Sequence, residues 1–185
     1  MNIFYLDTDP KIAAQYHNDK HCIKMILESA QLLSTAHRVL DGEQATIIKN
    51  GRKKKVYILS DQKQDILYQA THINHPCGIW CRASVGNYSW LYWLFVELCE
   101  EYTFRYGKTH KCETKLKDAL QSLPENMESE SFTLPALAMP EEFHCDDHVE
   151  AYRQYYIQNK AHLACWTKRE QPVWWVETQE VGNDS

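Results

Sequence analysis

Glycine and proline are scarce, with six of each in 185 residues. An all-β sandwich or barrel needs both at its many turns, so this shortage excludes a turn-rich all-β fold. No uninterrupted apolar run reaches the roughly 18–20 residues that cross a bilayer, which excludes a helical membrane span. Asn2 to Asp9 is too short and too polar to be a secretory signal. The seven cysteines are odd in number and scattered at 22, 77, 81, 99, 112, 145 and 165. They form no disulfide framework and read as reduced thiols in a cytoplasm. Net positive charge is also missing: the formal charge is -5. Residues 1–120 hold 16 Lys+Arg against 13 Asp+Glu, and residues 121–185 hold 4 against 12. Nonspecific nucleic-acid affinity scales with the phosphates neutralised, so an anionic partner is expected only against the first two thirds of the chain.

What is present is helix. The length fits one domain that buries roughly 70% of its unfolded surface, and 6 Trp with 11 Tyr supply a core. Asp9-Pro10 starts a helix, or two in series, that Asp41-Gly42 ends. A central helix runs from about Ser84 to Tyr106, with Leu91, Leu94, Phe95, Leu98 and Tyr102 inward, Glu97, Glu100 and Glu101 outward, and Gly107 as its stop. A short helix covers Glu113 to Leu120, and a last one starts at Asp146-Asp147 and ends near Ala164. Asn2 to Leu6 alternates weakly, as a short strand would. Residues 43–58 read as a loop carrying the basic run Arg52-Lys53-Lys54-Lys55, with Val56-Tyr57-Ile58-Leu59 either a strand or the start of a short helix to Tyr68, and 121–145 as an irregular, acidic, Pro-containing segment. The expected fold is mainly α: a compact single-domain helical bundle over 1–176 with long first and central helices and little or no β. An acidic flexible tail follows over 177–185.

One polar stripe stands out on the first helical stretch. His17, His21, Lys24, Glu28, Gln31 and Thr35 recur at spacings of four, three, four, three and four, which places them on one face. The other faces carry Cys22, Ile23, Met25, Ile26, Leu27, Ala30, Leu32, Leu33 and Ala36. A strip of imidazoles, amine and carboxylate lines a cleft, or else forms the wet edge of a core helix. Lys24 beside Glu28 is either an ordinary i,i+4 ion pair or an amine nucleophile with a proton acceptor. His17 and His21 have the i,i+4 spacing that can chelate zinc or another divalent metal, but without the glutamate of the zinc-protease motif. Within the loop after Tyr68, His72, His75, Cys77 and Cys81 are a crowded cluster that reads as structure rather than a zinc site. His144 and His148 repeat the spacing in an acidic context. For an anionic or nucleic-acid ligand the candidates are Arg52, Lys53 and Lys54, with Arg82, Asn87, Tyr88 and Trp90 at the central helix start. A guanidinium, a helix N-terminus and stackable rings meet there. His75, Lys168 and Arg169 complete that set.

Ala13-Ala14-Gln15-Tyr16-His17, the central helix Asn87 to Tyr106 and Lys168-Arg169-Glu170-Gln171-Pro172-Val173-Trp174-Trp175 resemble the phage endonuclease V-type pyrimidine-dimer DNA glycosylases. His75-Pro76-Cys77-Gly78-Ile79-Trp80 and Arg105-Tyr106-Gly107-Lys108-Thr109-His110 are similar to patterns in small tailed-phage proteins, which assign no activity. The glycosylase resemblance implies a helical domain in a host-cell cytoplasm that needs no cofactor. It also implies an amine nucleophile, a catalytic glutamate and a damaged or modified pyrimidine in DNA as substrate. In that family the nucleophile is the α-amine exposed by Met removal. Here Asn2 follows Met1 and is expected to retain it, Lys24 occupies the glutamate's place, and Glu28 lies one turn further. The expected catalytic set is therefore Lys24 and Glu28, with His21 and His17 beside them. A metal-dependent phosphoester or nucleotide hydrolase using His17 and His21, and a non-catalytic accessory protein binding a nucleotide or host protein, are the alternatives.

Overall fold

The chain breaks its first helical stretch after about two turns, and the break governs everything that packs on it. In the computed structural model, which describes residues 1–175, α1 spans Pro10–Tyr16 and α2 spans Asp19–Asp41. Asp9 caps the first through Lys11 N–H, and Asn18 caps the second through His21 N–H. An N-cap residue has extended backbone, so a cap at Asn18 ends any continuous helix there. Gly42 closes α2.

A hairpin follows, with β1 at Glu43–Lys49 and β2 at Arg52–Ile58, antiparallel and in register from Glu43 opposite Ile58 to Lys49 opposite Arg52. The expected loop at 43–58 is thus a β-ribbon. Its connection is Asn50-Gly51, both with positive φ (51° and 73°), the mirror-image turn whose twist matches paired strands. Asn2 to Leu6, conversely, is not a strand: Asn2 Oδ1 accepts from Ile3 N–H and Phe4 N–H, and Phe4 adopts φ 49°.

The short helix α3 (Lys63–Ile66) leads to α4 (Pro76–Cys81), which stands where a tight loop was expected. His75 caps α4 by accepting from Cys77 N–H through Nδ1, with Pro76 at the first helical position. His110 does the same for α6 (Lys111–Gln121). Between them α5 (Val85–Tyr106) starts on the Ser84 cap and stops at Gly107, whose left-handed φ of 64° a side chain would strain. A one-turn 3-10 helix at Glu141–Phe143 precedes α7 (His148–Lys160), capped by Asp147, and another follows at Ala161–Leu163. The acidic tail expected over 177–185 lies outside the described residues.

The buried apolar side chains form one contiguous core in which α2 and α1 pack on α5, with α4 and α6 against α2. Two arginines organise it. Arg38, buried on α2, donates to the carbonyls of Tyr57, Gln64, Leu67 and Tyr68 and to Gln64 Oε1, tying the ribbon's root and α3 to α2. Arg105, 2% exposed on α5, donates to Glu101 Oε1, Asp19 Oδ1 and the carbonyls of Gln15 and His17. It thereby occupies the α1–α2 joint. Glu101 was expected on the wet face of α5; it is instead 4% exposed, because Arg105 and Arg169 both pair with it. Removing one partner of a buried, hydrogen-bonded charge pair leaves the other unpaired and costs about 3–5 kcal/mol. Arg105→Met is therefore expected to lower unfolding free energy by about that much. Lys117→Ala, which removes the surface pairs of Lys117 with Glu100 and Glu113, should change it by about 1 kcal/mol or less. Urea denaturation of both variants against the wild type measures the difference.

Candidate functional site

The polar stripe is neither a water-facing edge nor an open cleft along its whole length. His17 falls outside α2, at the end of α1, so it does not share a helix face with His21. On α2, His21 and Thr35 are buried, Glu28 and Gln31 half-buried and Lys24 exposed. The stripe is a seam. The chain start lies across its first half, and Thr71 covers its end, where Thr71 N–H donates to Thr35 Oγ1.

At the middle of this seam Glu28 meets two amines. Lys24 Nζ lies 3.3 Å from Glu28 Oε1, and the Met1 amine 3.9 Å from Oε2. Asn2 N–H also donates to Oε2 at 3.0 Å. The Asn2 side chain fixes this chain start, donating to the Ala138 carbonyl at 2.9 Å while accepting from Ile3 and Phe4. His75 is drawn to the same place. Burial lowers its pKa most, the nearby chain-start amine and His72 add to that, and Glu28 and a hydrogen bond to the Met1 carbonyl oppose it. The Glu28 side chain is 12% exposed and that of Lys24 is 63% exposed, so a sheltered carboxylate stands at the foot of an accessible amine. Ile23 and Leu27 lie one residue before and three after Lys24, on the same exposed side of α2, and are 41% and 39% exposed. The amine thus borders apolar surface.

His21 lies one turn before Lys24 and does not reach Glu28 by any hydrogen bond among the described residues. Its ring stacks on Phe4 at 4.5 Å between centroids. Tyr156 Oη accepts from Asn18 N–H and is hydrogen-bonded with His21 Nδ1 at 2.9 Å. Burial pushes the His21 pKa down to about 3, and His17, Lys160, Lys24 and His162 push the same way. His17 donates through Nδ1 to the Ala13 carbonyl, and burial takes its pKa to about 4. Both imidazoles are neutral elements of the floor beneath Phe4, not chemistry at the amine. Among the described residues no group of three or more His, Cys, Asp or Glu side chains is arranged to hold a metal.

The residues expected to bind DNA fall into three groups. Asn87, Tyr88 and Trp90 do not line a surface. They are 0%, 1% and 8% exposed, and their polar atoms are committed to protein. Asn87 binds the Trp80 carbonyl and Thr133, Tyr88 donates to the Leu120 carbonyl, and Trp90 donates to the Thr8 carbonyl. Periodicity marks such a face as apolar but cannot show that an amide on it is fully bonded. Lys168 donates to the Phe104 carbonyl, and Arg169 binds both oxygens of Glu101 and lies 4.3 Å from the Phe104 ring centre. Arg169 thus spends its charge inside the fold. Arg52, Lys53 and Lys54 stand exposed on the ribbon, and Arg82 has no carboxylate partner among the described residues, with its Nη1 buried beside α4. The resemblance pointed to a chain-start amine, but the sequence could not place Met1 and Asn2 beside Glu28; the local signal was that Asn2, an Asx-turn former, stands there. No protein-family model, curated protein or solved structure matches the chain.

Burial also takes the His37 pKa down to about 4, and the ring shares its Nε2 proton with Tyr88 Oη at 2.9 Å. Three histidines are therefore held neutral. Each binds its proton in the unfolded chain near pH 6.5 but in the folded one only near pH 3–4. In that window the unfolded state carries more protons, so stability is fully present above about pH 6.5 and is lost as pH falls toward the folded values. The buried carboxylates act lower. Burial works to raise Asp19 and Glu101, but hydrogen bonds from Thr167, Cys165 and Arg105 on Asp19, and from Arg169 and Arg105 on Glu101, hold them below their usual range. Melting temperature should therefore fall steadily from pH 6.5 to 4.5. A flat profile over that interval would show that these histidines are not buried in the neutral form.

Proposed function

We propose that the chain is a DNA-acting enzyme of glycosylase/lyase type that attacks the deoxyribose of a modified or damaged pyrimidine nucleotide with an amine. The observation that carries this reading is the Glu28 carboxylate, largely sheltered and held between Lys24 Nζ at 3.3 Å and the Met1 amine at 3.9 Å. Imine-forming chemistry at C1′ needs a free amine and a base placed to take its proton. A carboxylate between two amines provides the base. As chemical classes, α-amines titrate roughly two to three pH units below lysine amines, so the free base is commoner on an α-amine at neutral pH. Lys24 is the more accessible of the two neighbours. Nitrogen attacks C1′, the C1′–base bond breaks, and the base departs with its electron pair and takes up a proton. Glu28 receives the proton shed by the amine. Opening of the sugar, with O4′ protonated, leaves the imine. Lys24 and Lys160 both lie close enough to His21 to push its pKa down, so positive charge from α2 and from the end of α7 gathers on this side. Such a rim attracts phosphates. The exposed Ile23 and Leu27 offer apolar surface for an extruded base.

Borohydride trapping on duplex DNA carrying an abasic site or a thymine dimer tests the reading. The wild type is expected to form a covalent adduct. Glu28→Gln should slow its formation about 10²–10⁴-fold, the range for loss of a positioned acid–base group. Peptide mapping of the adduct, with Lys24→Ala alongside, assigns the nitrogen: loss in the variant places it on Lys24, and retention with the mass on residue 1 places it on the α-amine. Absence of any adduct on either DNA would overturn the proposal.

A further inference from the structure

The β1–β2 ribbon is not explained by the amine site. Along its two strands only Val56 is buried and most other residues are exposed, so the ribbon contributes little to the core. It carries Lys49, Arg52, Lys53, Lys54 and Lys55 against one carboxylate, Glu43 at its root. Among the described residues none of these five cations forms an ion pair or a side-chain hydrogen bond.

Their register is unfavourable for the isolated protein. Directly opposed residues share a face, and alternate residues along a strand return to it. Lys49 is opposite Arg52 and Ile47 is opposite Lys54, so Lys49, Arg52, Ile47 and Lys54 lie together on one face. Like charges directly opposite repel. That arrangement becomes favourable only when an anion lies against it. Ile47, Lys49 and Lys54 also line, with Gln64 and Gln69 from the body, a depression of about 300 Å³, so this face is concave. Lys49 and Lys54 border this depression and Arg52 shares their face, so the field of three cations is concentrated on one side of the ribbon. At the tip Gly51 has no neighbour within 4 Å of where a Cβ would stand, leaving the turn free to approach another backbone.

We infer that the ribbon is a docking arm for duplex DNA, lying in the major groove with Lys49, Arg52 and Lys54 against one phosphate strand. The inference rests on the DNA-acting reading above and adds the form of the substrate and the groove. The major groove of B-form DNA admits a two-stranded ribbon, whereas that of an RNA duplex is too deep and narrow. Each phosphate contact contributes about 0.9 to the slope of log affinity against log salt.

The test measures binding of the full chain to an undamaged 20-base-pair DNA as a function of KCl. Three proteins are compared: wild type, the ribbon variant Lys49→Gln/Arg52→Gln/Lys54→Gln, and a charge-matched body variant Lys11→Gln/Lys108→Gln/Lys111→Gln. All six positions are exposed, and equal melting temperatures check that both variants fold. The expected result is a salt slope smaller by about 2–3 in the ribbon variant and nearly unchanged in the body variant. Equal losses in both would show that net charge alone acts, and would overturn the inference. So would binding of an RNA duplex, or of phosphatidylserine vesicles, at least as tight as that of the DNA. Borohydride trapping on single-stranded abasic DNA separates the two proposals. An adduct there without duplex binding removes only the docking arm, and the absence of both removes the DNA-acting reading as well.

Discussion

The Arg105 guanidinium is the constraint on which the arrangement depends. Ending α1 at Tyr16 and starting α2 at Asp19 leaves the carbonyls of the first helix without helical partners. Arg105 answers two of them, Gln15 and His17, and binds the first carboxylate of the second helix at the same time. Its other neighbour, Glu101, is shared with Arg169, and Asp19 also accepts from the Thr167 backbone and hydroxyl. The segment after α7 is thereby sewn to the same joint, where Asp19 N–H donates to the Cys165 carbonyl. The bend at Asn18 sets the direction of α2. That direction brings Glu28, ten residues on, under the chain start. A continuous helix from Pro10 would carry Glu28 elsewhere, so the ion network and the candidate site are one design.

Much of the helical frame was legible in the residues. Asp9-Pro10, Asp41-Gly42, Gly107 and Asp147 each mark a boundary through a local mechanism, a cap or a left-handed stop, and each acts where it was read. A strand was one of two readings for Val56 to Leu59, but its pairing with 43–49 was not read, although Asn50-Gly51 is the strongest short hairpin signal. Its strands lack alternation because five cations occupy them, so the basic run concealed the β pattern. His75 and His110 as caps were also not read, since histidine seldom fills that role and the ring nitrogen is an acceptor only when neutral.

The site was legible in half. Spacing placed Lys24 next to Glu28 because i,i+4 neighbours are local. It could not place Met1, Asn2 or His75, which arrive from elsewhere in the chain, and it could not show that His21 would turn its Nδ1 to Tyr156, 135 residues away. Glu101 failed for the same reason. Periodicity assigns a carboxylate to water unless its cations are known, and one of its two partners, Arg169, lies 68 residues further on.

The proposal that an acidic chain acts on DNA meets an apparent contradiction, because nonspecific affinity follows neutralised phosphates rather than chemistry. Placement resolves it. Lys168 and Arg169, the cations of the last segment, are turned onto Phe104 and Glu101 and contribute structure instead of field. Five exposed cations with no ion pair among the described residues stand together on the ribbon. Net charge averages over faces that a ligand never touches, whereas a field is set by the nearest charges and is screened beyond about 10 Å at moderate salt. A total of -5 therefore says little about one ribbon where five cations stand against a single carboxylate. The overall negative charge has a further consequence: it disfavours phosphate contact with the acidic last third of the chain and leaves the ribbon and the Lys24 side as the surfaces where an anionic polymer can approach.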